Sequence, residues 1–133
     1  MFMKILAAID GKDTSMKALM EAKRMAESNH GTLRIVYVAT DDTDQKASLR
    51  LVAQAKSAAG DGVTIDTRVL HTEAIYGVTG IVDALANGAR EWGADLVVLG
   101  SSHRRALERW VIGSVAEQLI SKIDASVLVV RSQ

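Results

Sequence analysis

Residues 93–100 read Gly93-Ala-Asp-Leu-Val-Val-Leu-Gly100. The inner run, Leu96 to Leu99, is apolar without alternation, which predicts a strand covered on both faces. Strands of that kind belong to parallel sheets, where the returning helices lie on either side. Gly93 stops a helix-period segment running from about Val78 to Trp92, so the stretch is a helix end, a turn and a buried strand in succession. The same unit recurs outward. Met3 to Ile9 is a short apolar strand, followed by a helix from Asp13 or Thr14 to Ser28 with Met16, Leu19, Met20 and Met25 at helical spacings. Asp13 is placed to cap that helix and Asn29-His30-Gly31 to end it. Leu33 to Val38 is a second strand, Thr40 to Asp44 a polar loop, and Gln45 to Ala59 a helix stopped by Gly60-Asp-Gly62. Val63 to Leu70 alternates polar and apolar residues, which suits a half-buried edge strand. A loop holding His71, Gly77 and Gly80 leads into the helix before Gly93. Beyond Gly100 come a long polar loop, a helix from about Gly113 to Ile123 and a last strand from Ser126 to Arg131. The order β-α-β-α-β-α-β-α-β predicts an α/β fold, a doubly wound parallel sheet with helices on both faces.

Composition narrows the chemistry. The 133 residues suit a single domain spanning 1–133. Sixteen basic and sixteen acidic residues cancel, which argues against attachment to nucleic acid by bulk charge. The absence of cysteine excludes disulfides, thiolate nucleophiles, zinc ribbons and iron–sulfur clusters. No apolar run approaches the ~20 residues of a membrane span. Met-Phe-Met-Lys4 runs straight into a strand without a charged segment or cleavage site, so the expected compartment is cytoplasmic and no membrane partner is expected.

Several motifs fail. Gly60-Asp-Gly62 precedes a strand instead of following one, and Ile65 stands where a dinucleotide fingerprint needs glycine. Gly11-Lys12 lacks the first glycine and the hydroxyl of a phosphate loop. Asp42-Thr-Asp44 lacks the glycine and glutamate of a calcium loop, and His71-Thr-Glu73 lacks the cysteines of a zinc deaminase. His30, His71 and His103 fall on separate loops without ligand spacing, so neither a metal site nor a catalytic residue is assigned. A receiver domain needs an acidic pair, an aspartate and a lysine at three strand ends, where this chain has Asp10 alone, His71 and Arg131.

The informative segment runs from Gly100 to Val115, beginning where a buried strand ends and finishing where a helix begins. Gly113 and Ser114 stand at a helix start, where free N–H groups and a hydroxyl attract anions. Gly100 allows close backbone approach of a ligand or a positive φ. Asp10, ending the first strand, is placed to share the crevice and take a ribose hydroxyl or a phosphate-borne metal. A strand-end glycine, an N-cap serine and an ordinary loop fit the same residues equally well. The last strand, Val127 to Val130, is apolar on both faces, and so is either in mid-sheet or an edge that pairs with a second copy.

Four blocks carry a resemblance: Lys4-Ile-Leu-Ala-Ala-Ile-Asp10-Gly, Gly93 to Gly100, Ile112-Gly-Ser-Val-Ala-Glu117, and Ser126-Val-Leu-Val-Val-Arg131. Together they resemble the universal stress protein family, over nearly the whole chain. The resemblance implies a five-stranded parallel sheet of order 3-2-1-4-5 with four helices, of Rossmann-like, adenine nucleotide alpha hydrolase-like type. It also implies a homodimer paired through 126–131. The family's ATP-binding branch carries G-x2-G-x9-G followed by Ser or Thr; Gly100, Gly113 and Ser114 match, and His103 replaces the middle glycine. By resemblance, Ala8, Ile9 and Asp10 line the ribose and adenine, and Val38 meets the adenine by its backbone. Leu99 and Gly100 flank the phosphates, and Gly113, Ser114 and Val115 bind them, with His103 and Arg104 beside them. The function implied is a stress-response signalling protein that binds ATP with Mg²⁺ and has no fast catalysis, at most slow hydrolysis or autophosphorylation. The alternative is a dimeric interaction protein of the same fold that binds no nucleotide and acts on a protein partner.

Overall fold

The structure, a computed structural model, describes residues 1–101 and 114–131. Its elements are β1 (Lys4–Ala8), α1 (Asp13–Asn29), β2 (Thr32–Ala39), α2 (Gln45–Ala59), β3 (Thr64–His71), a single 3-10 turn (Ala74–Tyr76), α3 (Gly77–Trp92), β4 (Leu96–Gly100), α4 (Ser114–Ile120) and β5 (Ser126–Val130). The strands form one five-stranded sheet in the order β3-β2-β1-β4-β5, and all their pairings are parallel.

The strand patterns follow from this order. β1 is central, and Ile5, Leu6 and Ala7 are all 0% exposed because successive side chains enter opposite cores. Ile5 and Ala7 pack with α1 and α2, whose contributions are Ala18, Leu19, Ala22, Ala26, Val52, Ala55 and Ala59. Leu6 packs with Val97, Leu99 and the inner faces of α3 and α4, including Val82, Leu85 and Leu119. The alternating β3 and the apolar β5 lie at the two edges.

On α1 the buried stripe is Ser15, Ala18, Leu19, Ala22 and Ala26, so the helix lies close to the sheet on small side chains. Of the apolar residues read at helical spacings, Leu19 is in the core, Met16 and Met25 pack at its margins and Met20 points outward. His30 adopts the left-handed conformation (φ 56°), and the N–H groups at this end return to the Ala26 and Glu27 carbonyls, as the Asn29-His30-Gly31 stop predicts.

Charge organises the outer strands. Arg34 on β2 stands opposite Asp66 on β3 and grips it with two hydrogen bonds of 2.9 Å each. The same guanidinium lies 4.6 Å from the centre of the Trp92 ring. Asp66 is held below the usual carboxylate range, first by the hydrogen bond from Arg34, which outweighs the opposing effect of burial, and further by the charges of Arg34, Arg68 and Lys56.

Candidate functional site

In a doubly wound sheet the connections diverge where the strand order reverses, and a crevice opens beyond the strand ends at that point. Here β1 is flanked by β2 and β4, so the crevice lies beyond Ala8 and Gly100. Ile9 and Leu99 are buried, while Ala8 and Val38 are half-buried, so the strand ends beneath the opening are apolar. Asp10 is exposed above them.

The turn that presents Asp10 is built around one hydroxyl. Ser15, buried in the first turn of α1, accepts a hydrogen bond from the Asp10 N–H (3.1 Å) and donates to the Lys12 carbonyl (2.9 Å). The Lys12 N–H in turn donates to Asp10 Oδ1 (2.9 Å). Gly11 takes a φ of +86°, in the region that favours glycine, and completes the reversal. Asp13 is therefore the first helical residue; Lys12 occupies the cap position and no side chain caps the helix there. Ser15 was not singled out in the sequence, because a serine at a core position reads as an ordinary helix residue until its two partners are known.

At the end of β2, Thr40 donates its N–H to Thr43 Oγ1 (3.1 Å), and Thr43 returns its own N–H to the Thr40 carbonyl (3.0 Å). At the end of β4, Ser101 is buried and donates its N–H to the Val130 carbonyl (2.8 Å). Gly100 departs from expectation. Its φ is not positive, and a Cβ on it would lie 2.9 Å from the carbonyl carbon and oxygen of Thr14. The missing side chain admits the first turn of α1 against β4, which gives Gly100 a packing role.

Ser114 opens α4 and is exposed, while Val115 packs into the α3–α4 core. Because α4 returns the chain to the start of parallel β5, its first residue lies at the same end of the sheet as Asp10 and Gly100. The structure thus brings Ala8, Ile9, Asp10, Val38, Leu99, Gly100 and Ser114 to one end of the sheet. His103, Arg104 and Gly113 lie outside the described residues. His71 ends β3 instead of lying in a loop, and Gly77 and Gly80 are helical. An open cavity of about 240 Å³ lies between β2 and α2, lined by Tyr37, Thr43, Ser48, Arg50, Leu51 and Gln54 among others, and shares none of the predicted site residues.

The model of the universal stress protein family matches residues 1–131. The chain belongs to the universal stress protein family. Universal stress protein YxiE of Bacillus subtilis is 27% identical over 154 residues, covering 98% of this chain and 100% of that protein. A universal stress protein crystallised in complex with cAMP superposes with a TM-score of 0.75 at 22% identity, covering 99% of both chains. The universal stress protein from Archaeoglobus fulgidus in complex with dAMP superposes with a TM-score of 0.68 at 21% identity, covering 97% of this chain and 98% of that one. These likenesses establish a shared universal stress protein fold. Among the described residues no helix is long and apolar enough to cross a membrane.

Proposed function

We propose that this universal stress protein binds an adenine nucleotide, ATP with Mg²⁺ foremost, in the crevice beyond β1 and β4. The observation that carries the reading is Asp10, an exposed carboxylate fixed by the Ser15 and Lys12 bonds above buried Ile9 and Leu99. Such a pairing of an apolar floor with one oriented acceptor suits an adenine ring and its ribose hydroxyls. The residues fit the group. Ala8, Ile9, Val38 and Leu99 would line the base side, Asp10 would take the ribose, and Ser114 would offer its hydroxyl to phosphate. Among the described residues no three histidine, aspartate or glutamate side chains converge on a metal position, so Mg²⁺ would arrive with the nucleotide and neutralise part of its phosphate charge. The cAMP and dAMP complexes of related folds support an adenine nucleotide as the ligand class.

The protein acts in this reading as a nucleotide-responsive binding module in stress signalling and not as a fast enzyme; among the described residues the acceptor at the crevice is Asp10. It works as a homodimer through residues 126–131. All four apolar residues of β5, Val127 to Val130, are only half-buried at the sheet edge, which a second β5 would cover. The test is to purify the protein from cells, denature it and identify what is released. An adenine nucleotide is expected; none released, together with no binding of added ATP, AMP or cAMP, favours a dimeric interaction protein that holds no nucleotide.

A further inference from the structure

The turn between β3 and α3 exposes apolar side chains that the fold has gone to some length to hold still. Ile75 is 83% exposed, Tyr76 60% and Val78 39%. Exposed side chains on a loose loop would carry little meaning, since scattered apolar residues are normal on surfaces. Ile75 and Tyr76 stand on a fixed turn, and Val78 follows in the first turn of α3. The Ala74 N–H donates to Asp41 Oδ1 (2.8 Å), which ties the turn to the β2–α2 loop. The Thr72 N–H donates to the Ala39 carbonyl (3.0 Å), and the Tyr76 N–H closes the turn on the Glu73 carbonyl (3.1 Å). Gly80 supplies the close fit beneath, because a Cβ there would meet Tyr76 Cβ at 2.8 Å and run into the Thr72 hydroxyl. The backbone and the Tyr76 Cβ are thus pinned while the Tyr76 ring and the Ile75 side chain face water. Preorganised aromatic and aliphatic groups of this kind lose little entropy on association.

Among the described residues, the two loops that meet here are acidic, with His71 beside them. These loops, residues 40–45 and 71–79, hold Asp41, Asp42, Asp44 and Glu73, and neither contains a lysine or arginine. All four carboxylates belong to exposed residues. Asp41 is committed in part to the Ala74 N–H, which joins the two loops and leaves Asp42, Asp44 and Glu73 as their remaining carboxylates.

We propose that this corner of the molecule, Ile75, Tyr76 and Val78 with Asp42, Asp44 and Glu73 of the two loops, docks a cationic peptide segment of a partner protein that inserts an apolar anchor. The apolar turn supplies the contact area and the carboxylates select the charge of the partner and speed its approach. The site shares no side chain with the crevice reading, although both lie at the carboxyl end of the sheet.

The test uses the full chain, labelled for amide NMR, against two sets of short capped peptides with the same leucine and phenylalanine positions. One set carries lysine and arginine between them, the other glutamate. The cationic set is expected to bind, to shift amides of residues 41–44 and 72–79, and to weaken as salt is raised. The pair Ile75→Ser and Tyr76→Ser should reduce binding by roughly tenfold or more. Asp42→Lys with Glu73→Lys should reduce it with Ile75 and Tyr76 in place, and all these side chains are exposed, so the thermal unfolding of the variants should match the parent. The proposal is overturned if neither set binds, if both bind alike, if the shifts fall elsewhere, or if the variants bind as the parent does.

Discussion

Replacing Gly100 with alanine separates packing from ligand access at the end of β4. The added Cβ would lie 2.9 Å from Thr14 C, O and Cγ2, whereas ordinary contact begins near 3.4 Å. The first turn of α1 must therefore retreat by about half an ångström, and two of the three atoms are backbone, which no side-chain rotation can move. Overpacking of this kind costs about 1–3 kcal/mol, offset by a few tenths from the lower flexibility of the unfolded alanine chain. For a chain of 133 residues each kcal/mol corresponds to ~3–4 °C in Tm. Gly100→Ala should thus lower Tm by about 2–10 °C by calorimetry or circular dichroism, and should shift the amide resonances of residues 13–16. A variant that keeps its Tm to within ~2 °C but loses nucleotide affinity would refute the packing role and restore Gly100 as a ligand-facing position.

Three further outcomes test other parts of the structure. Ser15→Ala removes the acceptor of the Asp10 N–H, and should cost about 1–2 kcal/mol in urea unfolding while weakening nucleotide binding through the loosened Asp10 turn. Asp66→Asn should cost about 1 kcal/mol or less at neutral pH, because the pair with Arg34 is partly exposed. The folded carboxyl titrates below its ordinary 3.8, so its stabilisation is fully present above that value and is lost as pH falls through the folded pKa; the gap between parent and variant should close below about pH 4 and stay constant above it. Val129→Asp places a charge on the β5 edge, and should give monomers or insoluble protein in light scattering; an unchanged soluble dimer would rule out pairing through β5.

The parts of the fold legible in the sequence were those set by burial alone. Leu96 to Leu99 lacks alternation because β4 is covered on both faces, and Val63 to Leu70 alternates because β3 is an edge. Local signals failed where a distant neighbour decides. Gly77 suggests a loop by propensity, yet it opens α3, and Gly80 within that helix is set by Thr72 and Tyr76, which leave no room for a side chain. Gly100 shows no sign in the sequence of the Thr14 backbone that packs against it. Asp13 has the chemistry of a cap, but the helix starts on it, and the turn before it is held by Ser15. Asp10 was legible as a site residue because it ends the first strand; the bonds that aim it were not, since they join residues whose approach depends on the turn at Gly11. The union of Arg34, Asp66 and Trp92 likewise depends on strand register, which no local pattern prints.

Calorimetric titration of the purified protein with ATP and Mg²⁺, run beside the Asp10→Ala variant, tests nucleotide binding in the β1–β4 crevice most directly. A saturable heat at millimolar ATP or below in the parent, reduced at least several-fold by loss of the Asp10 carboxylate, is the predicted result. No heat in the parent at millimolar ATP, or equal heat in both proteins, would contradict it.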